Sequence, residues 1–362
     1  MAEMKIKVLH IGCLVNPGIG IINQLTWEQM AAKNNNFNIE TFLFTTHKYS
    51  KYSVCKTSKE SNLQLITYLK IRVKYFYWLL KNKSNYDVIL LRYSPHDPFQ
   101  FLISFFVKNY YTIHHTFENE EILISKNLSK IKLFFEKYFS KKILANSKGI
   151  IGVTNEICNY QIQRLGSNKN IFVYPNGIYS DFTAKSLQTN EINCIFVSSQ
   201  FQKWTGIDHL INDYTLNGNL GMRIHLIGKI NEKLRKELEK STLFIVHGEL
   251  NPEDIHKIYD ISTIAISSFG FDRKNMKEAC PLKSTEYLSA GLPVVGGYND
   301  AVLPINFPYY TKMNPSLFEI KHAAIKSLSY SRLEVKQAAM PYIDKANLLK
   351  LLMNFLSTKS NI

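Results

Sequence analysis

Short apolar runs rich in Val, Ile and Phe alternate with longer segments of helical hydrophobic periodicity along most of the chain. This alternation is typical of parallel β-sheets whose strands are connected by crossover helices. The pattern predicts strands at residues 6–11, 39–44, 88–91, 110–113, 149–153, 171–173, 192–197, 223–227, 243–246, 263–266 and 293–295. The sequence therefore predicts an α/β protein with two doubly wound, Rossmann-like domains facing a central cleft.

The boundary between the two domains is predicted from a polar segment. Residues 179–191 have no apolar periodicity, and a clear strand pattern begins again at residue 192. We expect an N-terminal domain at residues 1–180, a linker at 181–191 and a C-terminal domain at 192–340. After residue 315 only helical patterns remain, and residues 341–362 are expected to form a helix that packs back across the N-terminal domain.

Composition narrows the class of protein. The 362 residues are 45% hydrophobic and 20% charged, which is enough apolar material for two globular domains. Five cysteines without C-x-x-C spacing argue against a disulfide framework and a zinc site. The N-terminus lacks a signal-peptide core, and no apolar run approaches the ~20 residues of a membrane-spanning helix. We expect a cytoplasmic or peripheral protein.

The net charge of +15 is compatible with an acidic small substrate, an anionic membrane surface or nucleic acid as partner. Residues 66–83 and 126–148 are rich in lysine and aromatic residues. Each could be a helix that packs on the core with one face and exposes a basic face to solvent, or a helix that docks on the inner face of the plasma membrane. Nucleic acid is not expected as a partner, since only the charge favours it.

Candidate ligand contacts are sought just after strands, because ligands bind at the carboxyl ends of parallel strands. Gly18 and Gly20 follow the first strand and precede a helix predicted to begin near Ile21. Glycine allows the backbone close to a ligand, and a helix N-terminus favours negative charge. A third glycine is missing from the dinucleotide fingerprint, so a plain turn explains the motif equally well.

Other polar residues also follow predicted strands. His114 and His115 end the fourth strand, but neighbouring strand residues point to opposite faces, so the pair is poorly suited to one metal ion. One of them is expected to hydrogen-bond a ligand or to be structural. Arg92 and Asn176 occupy similar positions and are ambiguous when taken singly.

The strongest constellation surrounds Pro281, which is predicted to start a helix. Glu278 precedes this helix and Glu286 lies within it. The amides of Cys280 and Leu282 are expected to bind a diphosphate or sugar hydroxyls, and the predicted contribution of Lys283 is a positive charge at the same place. On spacing alone, a helix with two surface glutamates remains the competing interpretation.

The segment KEACPLKSTEYLSAGLPVV resembles the signature of the retaining glycosyltransferases of family 4, which have the GT-B fold. FVSSQFQKWTGIDHL, IHLIG, His247-Gly248 and HKIYDISTIAISS extend the similarity through the second half, and Gly18 to Gly20, His114-His115 and Pro175-Asn176-Gly177 do so more faintly in the first.

The resemblance implies a sugar transfer with retention of configuration, without a metal or other cofactor. The donor, a UDP- or GDP-sugar, would bind the C-terminal domain, with Glu286 on the ribose and Glu278 on the transferred sugar. His114 and His115 would belong to the catalytic site. The acceptor, a glycan or a lipid-linked glycan of cell-surface polysaccharide synthesis, would enter through the first domain.

One position departs from the family's pattern. The family usually places Arg and Lys after the first strand of this domain, as G-R-x-x-x-x-K-G, where the chain has Gln200 and Thr205. Lys203 is expected to substitute as the phosphate-binding cation, with Lys283, Arg273 and Lys274 as further cations. A sugar-nucleotide epimerase of the same architecture and a noncatalytic nucleotide-sugar-binding protein are the alternatives.

Overall fold

Residue contacts divide the chain into two units, Met1–Pro175 with Lys345–Ile362, and Asn176–Asp344. The structure is a computed structural model, and it describes residues 6–124, 128–185, 191–218 and 220–360. Residues 126–127 of the second basic segment and residues 186–190 of the predicted linker lie outside the described residues.

The first unit contains a parallel sheet in the order β3-β2-β1-β4-β5-β6-β7. Its strands are β1 Val8–Cys13, β2 Ile39–Thr46, β3 Cys55–Ser58, β4 Val88–Arg92, β5 Tyr110–His114, β6 Gly149–Gly152 and β7 Asn170–Val173. Its first six helices are α1 Ile19–Asn34, α2 Gln64–Asn82, α3 Pro98–Phe106, α4 Glu118–Ile124, α5 Ser129–Asn146 and α6 Asn155–Leu165. The strand order reverses direction between β1 and β4.

The core of this unit forms where apolar strands meet apolar helix faces. Leu9 and Ile11 of β1 and Leu91 of β4 pack with Tyr75 and Leu79 of α2, and all five side chains are buried. The strands that are buried on both faces read as continuous apolar runs, as expected for a parallel sheet.

The second unit repeats the architecture with a parallel sheet in the order β10-β9-β8-β11-β13-β15. Its strands are β8 Ile192–Gln200, β9 Met222–Lys229, β10 Phe244–Gly248, β11 Ile264–Ile266, β13 Val294–Gly296 and β15 Tyr310–Lys312, and a separate parallel pair is formed by β12 Glu278–Ala279 and β14 Asn299–Asp300. Its helices are α7 Ile207–Asn217, α8 Glu232–Leu238, α9 Pro252–Ile261, α10 Leu282–Ser289, α11 Leu317–Ser327 and α12 Arg332–Ile343. Here the order reverses between β8 and β11.

The last helix, α13 Lys345–Ser360, belongs to the first unit and packs against α1. Its first residue, Lys345, is fully buried with its ammonium 4.5 Å from the centre of the Tyr174 ring. Over the residues that the structure describes, no helix has both the length and the apolar character needed to cross a membrane.

Candidate functional site

The carboxyl ends of β8 and β11 mark the place in the second unit where a ligand is expected, because the strand order reverses between them. Ser267 directly follows β11, and its carbonyl oxygen accepts a hydrogen bond of 3.0 Å from the Lys283 ammonium. Lys283 is the second residue of α10. This contact brings the first turn of α10 to the reversal point of the sheet.

Lys283 lies in an apolar environment at this point. Its ammonium is 4.5 Å from the centre of the Phe196 ring in β8. Burial lowers the pKa of Lys283 to about 7. Desolvation disfavours the charged form of a lysine, so a bound anion would restore that form.

The segment before α10 is held by Asn176. The Asn176 side chain donates a hydrogen bond of 2.5 Å to the Cys280 carbonyl oxygen, and the Cys280 thiol lies 3.4 Å from the Asn176 carbonyl oxygen, to which it donates. Pro281 occupies the cap position, and no side chain caps the helix. The first amides of α10, those of Leu282 and Lys283, therefore face outward from the helix end as hydrogen-bond donors.

The two glutamates flank Pro281 as their spacing predicts: Glu278 begins the short strand β12, and Glu286 lies within α10. Both are half-buried. Burial raises the pKa of the Glu286 carboxyl to about 7. In the described part of the chain no hydrogen bond reaches the Glu286 carboxylate, so its oxygens can accept from the hydroxyls of a ligand.

A network of buried hydroxyls lies on the buried side of α10. The hydroxyls of Ser267, Ser284 and Tyr298 are mutually within 2.6 to 2.9 Å. The Tyr287 hydroxyl accepts a hydrogen bond of 2.7 Å from the Val197 amide near the end of β8. Sequence reasoning missed this network, although Ser267 could have been found by searching for polar residues directly after strands.

A buried acid beside β12 was also missed. Asp300 pairs with Ala279 between the strands β14 and β12. Burial raises the pKa of Asp300 to about 7, and one of its oxygens accepts a hydrogen bond of 3.2 Å from the Val302 amide. The only sequence signal is an acidic residue a few positions after an apolar strand.

The cations expected to bind phosphate have different environments. Lys203 is exposed on the turn that follows β8. Arg273 donates to both Asp208 carboxylate oxygens, at 2.9 and 2.7 Å, so its guanidinium already has a bidentate partner. Lys274 is buried with its ammonium 4.0 Å from the centre of the Trp204 ring. Among the described residues, Lys203 and Lys283 thus have no carboxylate partner, whereas Arg273 has one.

The glycine motif of the first unit lies where α1 begins. Gly18 caps α1 without a side-chain bond, and Gly20 is the second residue of the helix, which starts at Ile19 instead of near Ile21. A Cβ atom added to Gly18 would meet nothing within 4 Å. No packing constraint among the described residues therefore requires glycine at position 18.

The two histidines have separate environments. His114 is fully buried, its Nδ1 lies 2.6 Å from a Glu118 carboxylate oxygen, and its ring stacks on Tyr93 at 4.5 Å. His115 follows the end of β5 and is half-buried. Burial, together with the nearby charge of Arg92, holds the pKa of His115 well below its usual value. Only His115 of the pair reaches the surface.

Within the described ranges of the chain, no group of three or more His, Cys, Asp or Glu residues is placed to hold a metal ion.

Comparison with known proteins relates the second unit to one family. Residues 180–304 match the family model described as glycosyl transferases group 1. Among curated proteins, no sequence matches the chain.

Solved structures are similar over nearly the whole chain. Anabaena HepE, in complex with UDP and glucose, has a TM-score of 0.66 and 14% identity, covering 98% of this chain and 100% of its own. Sucrose-phosphate synthase from Thermosynechococcus elongatus has a TM-score of 0.62 and 14% identity, with 98% and 97% covered. The catalytic domain of starch synthase IV from Arabidopsis thaliana, bound to ADP and acarbose, has a TM-score of 0.63 and 10% identity, with 98% and 99% covered. The two Rossmann-like units therefore have the GT-B fold.

Proposed function

We propose that this chain, whose residues 180–304 match the family model of the glycosyl transferases group 1, is a retaining, metal-independent hexosyltransferase. Its donor would be a UDP- or GDP-sugar, and its acceptor a glycan or lipid-linked glycan in the synthesis of a cell-surface polysaccharide. The coarser statement, a glycosyltransferase that uses a nucleotide-sugar, has the support of the family match and of the GT-B fold.

The observation that carries the proposal is the convergence of three features at the reversal point of the second sheet. The uncapped first turn of α10, the desolvated ammonium of Lys283 and the half-buried carboxyl of Glu286 come from one short segment. Amides and an ammonium bind the diphosphate of a nucleotide-sugar, whereas a carboxylate accepts hydrogen bonds from vicinal hydroxyls. The segment lies inside the region that matches the family model.

Each residue then receives a role. Glu286 binds the ribose hydroxyls and Glu278 the hydroxyls of the transferred sugar. The amides of Cys280 and Leu282, with Lys283 and Lys203, hold the diphosphate, whose negative charge grows as the sugar leaves. Stabilising that charge by fixed donors in a partly desolvated site is the main catalytic contribution, and no carboxylate nucleophile is required.

The first unit is proposed to bind the acceptor. His115, the half-buried member of the histidine pair, would hydrogen-bond the acceptor, whereas His114 would orient the site through Glu118. Aromatic and lysine side chains on α2 and α5 support a position at the inner face of the plasma membrane, where a lipid-linked acceptor is found.

Thermal unfolding in the presence of nucleotides tests the donor site. UDP-, GDP-, ADP- and CMP-sugars are added in turn, and one of the first two is expected to raise Tm, since a ligand that binds only the folded state stabilises it. Glu286→Gln should remove the shift. Glu232→Gln, which changes an exposed glutamate on α8, serves as the matched control and should keep it.

Two results would contradict the proposal. An unchanged shift in Glu286→Gln would refute the ribose assignment. If a nucleotide-sugar binds but no sugar is released or transferred in a product assay, the noncatalytic alternative replaces the enzyme. The substitution of Gln200 and Thr205 for the family's usual cations is the feature that makes this second outcome worth measuring.

A further inference from the structure

Arginine side chains are buried at three places in the first unit, and two of them are neutralised by carboxylates. Arg72 lies 3.0 Å from Asp97, and Arg164 lies 2.8 Å from Glu118. Arg92 is only 8% exposed, yet within the described residues no carboxylate lies within ion-pair distance of its guanidinium. A buried charge without a partner is costly, so this exception calls for a physical reason.

The nearest acidic group to Arg92 is already engaged. Glu28 lies near enough to act on the pKa of Arg92, but its oxygens contact His10 at 2.6 Å, Thr41 at 2.9 Å and Tyr174 at 2.8 Å. The contact that Arg92 itself makes is a long one of 3.4 Å to the Gln24 side-chain oxygen. Burial lowers the pKa of Arg92 to about 10, which still leaves the guanidinium charged at neutral pH.

The position of Arg92 is that of a ligand contact. It ends β4, next to β1, where the strand order of the first sheet reverses, and ligands of parallel sheets are expected at the carboxyl ends of the strands at such a point. Gly12 of β1 borders the same point, since a Cβ atom built there would lie 3.1 Å from the Arg92 Cβ. A side chain larger than hydrogen at position 12 would crowd the arginine.

A second unpartnered group lies nearby. Nε2 of His115 is buried and has no hydrogen-bond partner among the described residues. His115 follows β5, the strand next to β4. Its imidazole is close enough to Arg92 to be affected by that charge. Among the described residues, a guanidinium without a carboxylate partner and an imidazole nitrogen without a hydrogen-bond partner thus occur at neighbouring strand ends.

We infer that Arg92 and His115 bind the phosphate group of a phosphate-bearing acceptor. The inference rests on the proposed function, which assigns the acceptor to the first unit. The guanidinium offers two parallel N–H donors to two phosphate oxygens, and the imidazole can donate to a third. The bound phosphate would supply the negative charge that no carboxylate of the described residues supplies to Arg92.

Thermal unfolding of the full chain tests the site with inorganic phosphate as the probe. The protein is first saturated with UDP or GDP, whichever stabilises it, so that phosphate does not compete for the donor site. Phosphate or acetate is then added at constant ionic strength. Phosphate should raise Tm of the wild-type chain more than acetate does, because three oxygens can be contacted instead of two.

Three variants locate the effect. Arg92→Gln should lose the specific part of the phosphate shift, and Arg92→Lys should keep less than half of it, since an ammonium lacks the two parallel donors. Arg223→Gln, which removes an exposed arginine paired with Glu191 at 3.2 Å, should respond as wild type. Phosphate also stabilises proteins by general exclusion, but that effect is the same in all variants.

The result that would overturn the inference is an equal phosphate shift in Arg92→Gln and Arg223→Gln, or an acetate shift as large as that of phosphate. If UDP or GDP still raises Tm of Arg92→Gln, this variant is folded. If Arg92→Gln does not fold, the phosphate shift of Arg92→Lys is compared with that of Arg223→Gln instead. Loss of the nucleotide shift in the wild-type chain would instead count against the donor site. In a transfer assay, Arg92→Lys should raise KM for the acceptor and leave KM for the donor unchanged.

Discussion

Lys283 and Glu286 are held in environments that oppose their usual charges. Burial lowers the pKa of Lys283 to about 7 and raises the pKa of Glu286 to about 7. Both shifts have the same physical cause, the loss of water around a charged group. Residues kept under such conditions reduce stability, and perturbed groups of this kind are concentrated at functional sites.

Lys283→Met should make the protein more stable and unable to bind its donor. A lysine with a lowered folded-state pKa destabilises the fold most where it is charged in both states. As pH rises above about 7, the folded chain releases the proton while the unfolded chain keeps it, and the penalty shrinks. We expect the gain in the free energy of unfolding to be larger near pH ~6 than near pH ~9 by about 2 to 3 kcal/mol, at about 1.4 kcal/mol for each pH unit above 7.

Chemical denaturation of wild type and variant at both pH values measures this difference. Lys203→Met removes an exposed lysine from the same part of the sheet and should change stability little at either pH. A gain that is equal at the two pH values would show that the Lys283 ammonium is not desolvated in the folded protein.

The sequence indicated which basic residues could bind the phosphates of the donor, but it did not indicate which of them are already paired with a carboxylate. Arg273 resembles a phosphate ligand in the sequence, yet it binds Asp208, 65 positions away. Lys283 is indistinguishable from a surface lysine until its contact with Ser267 is known. The pairing of charges depends on contacts distant in sequence, which local patterns do not encode.

At the scale of single elements, the close approach of β9 to β8 depends on a glycine. Gly228 near the end of β9 has a φ of +129°, and a Cβ atom there would lie 1.6 Å from the Ser198 carbonyl oxygen. Both the conformation and the space exclude a side chain. This contact sets the geometry of the strand ends beside the proposed donor site.

Gly228→Ala should destabilise the second unit by about 3 kcal/mol or more, because the clash is with backbone and cannot be relieved by a rotamer change. Gly221→Ala is the matched control: Gly221 also has a positive φ, +73°, but a Cβ atom there meets nothing within 4 Å. It should cost only about 1 kcal/mol. Urea denaturation of both variants gives the comparison, and similar losses would contradict the close approach.

The strands with apolar runs were predicted, including the edge strands β7 and β10, whereas two edge strands without such runs were not. The strands β8 and β9 begin within one residue of the predicted positions. The edge strands β3 and β15 were missed, because neither is buried on both faces and neither has an apolar run; the two-residue strands β12 and β14 were missed as well. An edge strand is defined by the neighbour that pairs with it, which a local pattern cannot reveal.

At the scale of the whole molecule, the charge of +15 is accompanied by an exposed aromatic surface. On α5, Ile131, Phe134 and Tyr138 are exposed at helical spacing. On α2, Leu69, Val73 and Tyr77 are exposed in the same way, with lysines between them. Helices whose outer faces combine apolar and basic side chains favour an anionic bilayer surface over water.

Phe134→Ser should weaken binding to vesicles that contain phosphatidylglycerol by about tenfold, which corresponds to the transfer free energy of one aromatic side chain. Co-sedimentation with the vesicles is the measurement. Phe318→Ser provides a matched control, because Phe318 on α11 is 71% exposed and Phe134 is 70% exposed. The control should bind as wild type.

Two results would remove the membrane from the proposal. Binding that does not depend on anionic lipid would contradict the role of the lysines. An equal loss for Phe134→Ser and Phe318→Ser would show that general hydrophobicity, and not the surface of α5, is responsible.

The sequence by itself determined the two parallel sheets, the helix that begins between Glu278 and Glu286, and the resemblance to a glycosyltransferase family. These follow from periodicity and from a contiguous segment, both of which are local. Only the tertiary structure decided that Asn176 holds the loop before α10 from 104 positions away. It also decided that, within the described part of the chain, Arg92 has no carboxylate partner like those of Arg72 and Arg164. Ion pairs and the loss of water around charged groups arise when segments distant in sequence pack together. They determine which charged residues can still bind a ligand.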